Sequence, residues 1–315
     1  MKIIFIGTNE FGRNIFEGLC QSGLNPSLVI TAPDRPVGRN QVFTPPKVKA
    51  AALERRIEVL QPDRIKDAEE KIASLQPDLV IVADYGQIIP KEILEMPKKG
   101  SLNVHPSILP KHRGASPVQH SILEGDEETG VTIILMDEKT DHGPVLASRK
   151  ITIPGTGITQ QELLEKLSDL ACDLVFETIP KWMEGIIDPV PQKEDQATFT
   201  KILSKEDGRI DWKKPALEIE RKVRAFDPWP GAFSEGEIKG VIKKIKILKS
   251  FVLAQTKAGP FGESGKTYLA PNEKIAVQTG KDFLVIEKMQ VEGKNPVETK
   301  DFLKGNTDFI GKIFK

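Results

Sequence analysis

The sequence has no uncharged apolar run approaching the ~20 residues that a membrane-spanning helix needs. Its opening apolar stretch, Ile3 to Gly7, is too short for the core of a signal peptide. Cysteine is nearly absent. Cys20 and Cys172 lie far apart on stretches that read as helices, so two buried free thiols are expected rather than a disulfide framework. Internal repeats and low-complexity tracts are missing too. With 39% hydrophobic and 29% charged residues, the chain is neither collagen-like nor wholly disordered. These absences predict a cytoplasmic protein with no membrane partner.

Net charge is also lacking, at zero overall, yet it is unevenly spread. Residues 201–315 hold 23 Lys+Arg against 16 Asp+Glu, and the first 200 hold 22 against 29. The second part is therefore net +7 and the first net −7. At 315 residues the chain is long for one domain and about right for two. The asymmetry predicts that the second meets something anionic, nucleic acid being one such partner. The bland alternative is that extra lysines merely keep a β-rich surface soluble.

The first half alternates short apolar runs with amphipathic stretches. Strands are expected at Lys2–Gly7, Ser27–Thr31, Leu79–Ala83, Leu102–His105, Val131–Met136 and Val145–Ile151, with helices at Glu10–Ser22, Pro46–Arg56 and Asp67–Leu75. That pattern predicts a doubly wound α/β domain with a mostly parallel sheet, whose ligands sit beyond the carboxyl ends of the strands. A long helix is expected from a Thr159 cap to Gly185. Asp188 begins a polar, Pro-rich stretch without periodicity, read as the linker (188–207) between a catalytic domain (1–187) and a C-terminal one (208–315). After it, strand-like runs at Phe233–Ser234, Val241–Val252, Lys266–Leu269, Lys274–Thr279 and Phe283–Val291 predict a small, OB-like β-barrel.

The first strand ends in Gly7-Thr-Asn-Glu-Phe-Gly12, which lacks the third-position glycine of a dinucleotide fingerprint. The acidic residue expected after strand two is replaced by the turn Pro33-Asp34-Arg35-Pro36. A nicotinamide dehydrogenase is thereby disfavoured, and Gly7 reads as a device for tight strand–helix packing. All four histidines, His105, His112, His120 and His142, fall within 38 residues. Their separations, with no cysteine nearby and no i, i+4 pair, do not suit zinc, and no metal is expected.

Organic acid–base chemistry fits better. Asn103 and His105 alternate on one strand and project from one face near its end. The strand Val131–Met136 runs into a loop carrying Asp141, which lies at the same edge if the sheet is parallel there. An amide donor, an imidazole and a carboxylate at one crevice suit attack on a carbonyl. No nucleophile elbow is present, so an acyl-enzyme is not indicated. A surface Asn, a core His and a capping Asp remain the alternative reading of the same residues.

The run Ser101-Leu-Asn103-Val-His105-Pro-Ser107-Ile-Leu109-Pro110-Lys-His-Arg113-Gly114, followed by Asp141-His-Gly143, resembles the signature of the folate-dependent formyltransferases. Further landmarks of the family span nearly the whole chain: Pro33-Asp34-Arg35-Pro36, Tyr85-Gly86, Arg209-Ile-Asp-Trp212 and Arg224-Ala-Phe-x-Pro-Trp229-Pro230. The resemblance implies that Asn103, His105 and Asp141 are catalytic. It also implies that Ser107, Ile108, Leu109, Pro110, Tyr85 and Gly86 line a folate site. The implied reaction transfers a formyl group from 10-formyltetrahydrofolate to the α-amine of methionine esterified to initiator tRNA, by a monomer. An amino-sugar nucleotide is the alternative acceptor. The resemblance makes Arg39 a tRNA contact; Lys205, Arg209, Lys213, Lys214, Arg221 and Lys222 near the domain boundary are candidates for phosphate contacts from the positive excess, with solvated helix faces as the competing explanation. The chain departs from the family pattern at Asp84, where a small apolar residue is usual, at Pro106, and in a loop after Arg39 poor in lysine.

Overall fold

The computed structural model describes residues 1–37, 41–155, 157–254 and 262–315. Two compact units emerge. The first comprises Met1–Pro117, Glu128–Ile153 and Leu163–Lys201; the second comprises Val118–Glu127, Pro154–Glu162 and Ile202–Lys315. Among the described residues no helix is long and apolar enough to cross a membrane.

The first unit is a seven-stranded sheet. Its strands are β1 (Ile3–Gly7), β2 (Leu28–Ile30), β3 (Val59–Leu60), β4 (Leu79–Ala83), β5 (Ser101–His105), β6 (Glu128–Leu135) and β7 (Val145–Thr152). Their spatial order is β7-β6-β5-β4-β1-β2-β3. The five strands from β3 to β5 run parallel. β1 and β4 are buried at every position, which is why they read as unbroken apolar runs: both faces are covered. The helix α1 (Glu10–Gln21) follows β1 closely because Gly7 and Gly12 carry no Cβ; one built at either would stand 2.6 or 2.7 Å from the Ala83 carbonyl oxygen. The expected thiols, Cys20 and Cys172, are free but only half-buried.

The parallel arrangement stops at β5. β6 runs antiparallel to it, Leu102 facing Leu135 and His105 facing Thr132, and β7 is antiparallel to β6. The loop after β6 therefore starts at the edge opposite the strand ends that carry the site. This corrects the route by which Asp141 was expected to arrive.

The stretch 188–207, expected as a linker, belongs to the first unit as far as Lys201. Two residues in it, Phe199 and Thr200, form a short parallel pair with Arg113 and Gly114. The second unit is an antiparallel sheet of Ala232–Ile238, Val241–Leu253, Thr267–Ala270, Lys274–Gln278 and Phe283–Val291, with Val297–Glu298 alongside the last. The long strand Val241–Leu253 pairs with one neighbour through its first half and another through its second, with register shifts around Lys249. It thus curls the sheet in the small-barrel manner. Trp212 is stacked on Phe314 inside this sheet, and its indole N–H donates to Ser234 Oγ at 2.9 Å.

Candidate active site

Asn103 and His105 lie two residues apart on β5 and so share a face. The loop between β6 and β7 doubles back over that face. Asp141 sits in it with left-handed backbone, φ 48°. Its Oδ1 accepts from the Asn103 amide at 2.9 Å, and its Oδ2 accepts from the Gly114 N–H at 2.7 Å. Oδ2 also stands 3.6 Å from His105 Nδ1. The three side chains expected to be catalytic are thus brought together.

His105 is buried, and its Nε2 lies 3.0 Å from the His112 carbonyl oxygen. A carbonyl only accepts, so Nε2 carries a proton. Nδ1, turned toward Asp141, is the nitrogen left for chemistry. It becomes a donor only when the ring holds a second proton.

Sequence reasoning missed the residues that fix this loop. Gln192 Nε2 donates to the carbonyls of Asp141 and Gly143, both at 2.8 Å. The Gln192 amide oxygen accepts from Arg113 Nε at 3.1 Å and Nη2 at 2.8 Å. Glu194 completes the pairing of the buried Arg113 guanidinium at 3.0 and 2.6 Å, which holds the Glu194 carboxyl below the usual range. His142 Nδ1 bonds Asp137 at 2.5 Å, and its Nε2 lies 3.5 Å from Glu194. Gly114 is required twice here: its φ is 109°, and a Cβ would come 2.6 Å from the Thr200 carbonyl oxygen.

Of the residues expected at the folate side, Ser107, Leu109 and Tyr85 are buried, Ile108 and Pro110 are half-buried, and Gly86 is exposed. Thr132, facing His105 on β6, ties the segment down by donating to the Ser107 carbonyl at 2.7 Å and accepting from the Leu109 N–H at 3.1 Å. Ile108 fits because β6 has Gly130 beneath it; a Cβ there would stand 2.5 Å from the Ile108 methyl. Tyr85 packs among Ile89, Ile93 and Leu94, and burial pushes its hydroxyl up to about 12. Asp84 has left-handed backbone, φ 56°, and accepts from Asn9 Nδ2 at 3.2 Å. Desolvation raises its carboxyl above the ordinary range against that bond, an effect weakened by its exposure to solvent.

The expected tRNA contacts divide. Arg39 lies outside the described residues; the paired strands Arg35–Val37 and Val42–Thr44 precede and follow it. Asp34, at the base, accepts from Lys49 Nζ at 2.8 Å and from Gln61 Nε2 at 2.8 Å. In the second unit Lys205 and Lys213 are exposed, whereas Arg209 pairs with Glu235 at 3.1 Å and Lys214 with Glu218 at 3.8 Å. Lys222 donates to the Asp207 and Arg209 carbonyls, and Arg221 reaches the Glu124 carbonyl at 3.5 Å.

An amide, an imidazole and a carboxylate converging at the edge of a doubly wound sheet define a site for attack on a carbonyl, and the chain belongs to the formyl transferase family. Residues 1–179 match the formyl transferase domain and 202–307 the formyl transferase C-terminal domain. It is 41% identical over 313 residues to the methionyl-tRNA formyltransferase of Enterococcus faecalis, covering 96% of each chain. Among solved structures it resembles WlaRD, a sugar 3N-formyltransferase crystallised with dTDP and 5-N-formyl-THF, with TM-score 0.64, 19% identity and coverage of 94% of this chain and 99% of that one. It also resembles HypX of Aquifex aeolicus in complex with tetrahydrofolic acid, with TM-score 0.61 and 22% identity. That alignment covers 96% of this chain and about half, 47%, of HypX.

Proposed function

We propose that the protein transfers the formyl group of 10-formyltetrahydrofolate to the α-amino group of methionyl initiator tRNA, giving N-formylmethionyl-tRNA, in the cytoplasm where that acceptor is made. The observation that carries this reading is the 41% identity along 96% of both chains to a methionyl-tRNA formyltransferase, together with an assembled Asn103/His105/Asp141 trio. The sugar formyltransferase resembles the chain in fold at 19% identity.

In the reaction the neutral amine attacks the formyl carbon. Asn103 has a second amide N–H besides the one given to Asp141, and His105 offers Nδ1–H in its doubly protonated state. Both receive the developing oxyanion in this reading, a contribution of about 3 kcal/mol per donor. Asp141 orients the imidazole and passes the amine proton toward the folate nitrogen as the C–N bond to it breaks. Ser107 to Pro110 and the Gly86 turn form the folate side. The second unit, with its positive excess, holds the tRNA through phosphate contacts. Incubation with labelled 10-formyltetrahydrofolate and either methionyl-tRNA or an amino-sugar nucleotide tests the reading. Label is expected in the tRNA; label confined to the sugar nucleotide would overturn it.

A further inference from the structure

Beside the trio, within the first unit, lies a cavity of about 390 Å³ whose lining includes none of the residues expected to hold folate. Its walls include Arg113, Gly114, Thr140, His142, Phe199 and Thr200. It shares a wall with the catalytic residues. The Gly114 N–H is bonded to the Asp141 carboxylate at 2.7 Å, and Thr140 and His142 flank Asp141 in the chain.

Phe199 is the unexplained member. It is 70% exposed, an unfavourable place for a phenyl ring in the absence of a ligand. Yet it is not on a free loop, because its backbone is paired in register with Arg113. The Arg113 guanidinium stands 5.9 Å from the ring centroid and is itself fixed by Glu194 and Gln192. Phe199 is therefore a preset aromatic face beside a cation whose charge is already met. Such a surface suits a flat, uncharged heteroaromatic ring and gives a phosphate nothing to bind. Lys139 and Thr140, both exposed, bring an ammonium and a hydroxyl to the same cavity, groups suited to a ribose and the phosphate that precedes it.

We propose that this cavity receives the terminal adenosine of the aminoacyl-tRNA, its base stacked on Phe199, while the esterified methionine presents its amine to Asn103, His105 and Asp141. The inference rests on the reading above that methionyl-tRNA is the acceptor. Its geometric basis is the shortness of the link. Three covalent bonds join the amine nitrogen to the ester oxygen on the ribose, a span of about 4 Å. Wherever the amine reacts, the terminal nucleoside occupies the space next to the trio. Donor and acceptor then approach from different sides, folate along Ser107–Pro110 and the nucleoside against Arg113–Gly114 and Phe199.

The test uses the full chain with Phe199→Ala, Phe199→Leu and Phe199→Trp, each first shown by thermal melting to be folded. Stacking of a base on an aromatic ring corresponds to a loss of about 10- to 100-fold on truncation. kcat/KM for methionyl-tRNA should fall by that factor in the Ala and Leu variants and be retained in the Trp variant, with KM for 10-formyltetrahydrofolate unchanged. A tRNA carrying 2-aminopurine in place of the terminal adenine gives a readout independent of turnover. Its fluorescence should be quenched by the wild-type protein and not by Phe199→Ala. Wild-type kcat/KM in the Leu variant, or unquenched fluorescence with wild-type protein, would overturn the proposal. So would a raised KM for the formyl donor, since the cavity would then belong to folate. If the wild-type protein formylates an amino-sugar nucleotide and leaves methionyl-tRNA untouched, the acceptor assignment itself fails and the subsite with it.

Discussion

The hydrogen bonds of Gln192 go to Arg113, Asp141 and Gly143 and not to Asn103 or the His105 ring, yet its loss should disable the site. Its amide donates two bonds to the carbonyls of Asp141 and Gly143 and accepts two from Arg113. Neutral bonds of this kind contribute about 1 kcal/mol each, and those from the guanidinium about 2 kcal/mol together. Gln192→Ala therefore removes some 3 to 4 kcal/mol of local restraint from a loop whose central residue, Asp141, holds a left-handed conformation costing about 1 kcal/mol. The bonds from Asn103 and Gly114 remain, so the loop loosens rather than leaves. We expect kcat to fall about 10- to 100-fold with KM for both substrates changed much less. Gln192→Glu discriminates between filling space and donating. The carboxylate still pairs with Arg113 but turns an acceptor toward two carbonyl oxygens, so it should be no better than Ala. Steady-state formylation of methionyl-tRNA, with circular dichroism as a fold control, measures both. Turnover within twofold of wild type in the Ala variant, or full activity in the Glu variant, would refute the reasoning.

Asn103→Ala and His105→Ala should each lower turnover at least ~100-fold with the fold intact, because each removes a donor needed only in the transition state; near-wild-type rates in either would remove that residue from the mechanism. Asp84 carries its own signature in stability. Its folded carboxyl is raised above an ordinary 3.8 by partial desolvation, less than full burial would raise it because the residue is open to solvent, so folding favours the protonated form and stability declines as pH rises above about 4. Asp84→Asn tolerates the left-handed backbone and keeps an acceptor for Asn9, so it should melt above wild type at pH 7.5, the gap closing toward pH 4. A gap independent of pH would contradict this. On the second unit, Lys205→Ala and Lys213→Ala should each reduce the slope of log K for tRNA against log salt by about 0.7 to 0.9. Arg209→Ala should leave that slope nearly unchanged, since Arg209 is already paired with Glu235. Equal changes in all three would show that ion pairing does not select the contacts.

The central strands of the first unit were legible because burial on both faces writes continuous apolar runs, as in Leu79–Ala83, whereas the two-residue edge strand Val59–Leu60 was too short to leave a pattern and was missed. Those of the second unit were legible to within a few residues because Gly, Pro and charged residues punctuate them. Strand direction was not legible. Nothing in Val131–Met136 distinguishes a strand parallel to β5 from one antiparallel to it, since the residues that fix the pairing are backbone groups. The linker was misjudged for a related reason. Asp188 to Gln196 is polar and aperiodic, as a free segment would be, and most of it is exposed, but two of its side chains, Gln192 and Glu194, reach back to Arg113 and the Asp141 loop.

The same contrast runs through the site. Asn103 and His105 could be placed together from sequence because a two-residue period on a strand is a strict geometric rule. Asp141 was placed with them by assuming a parallel strand, which the antiparallel β6 overturns; its backbone reaches the trio from the opposite edge by a left-handed turn. Gln192, Glu194 and Phe199 had no periodic signal at all. Their neighbours in space are 50 to 90 positions away in sequence, and each looks ordinary in its own surroundings. What makes them informative is a mismatch visible only in three dimensions: a buried guanidinium that needs acceptors, a left-handed aspartate that needs holding, and an exposed ring fixed in register beside both. Periodicity locates the groups that lie on regular elements. The groups that hold those elements in working order are found by asking which buried charges and strained residues would otherwise go unanswered, and that question leads from Asp141 through Gln192 to Arg113 and out to Phe199.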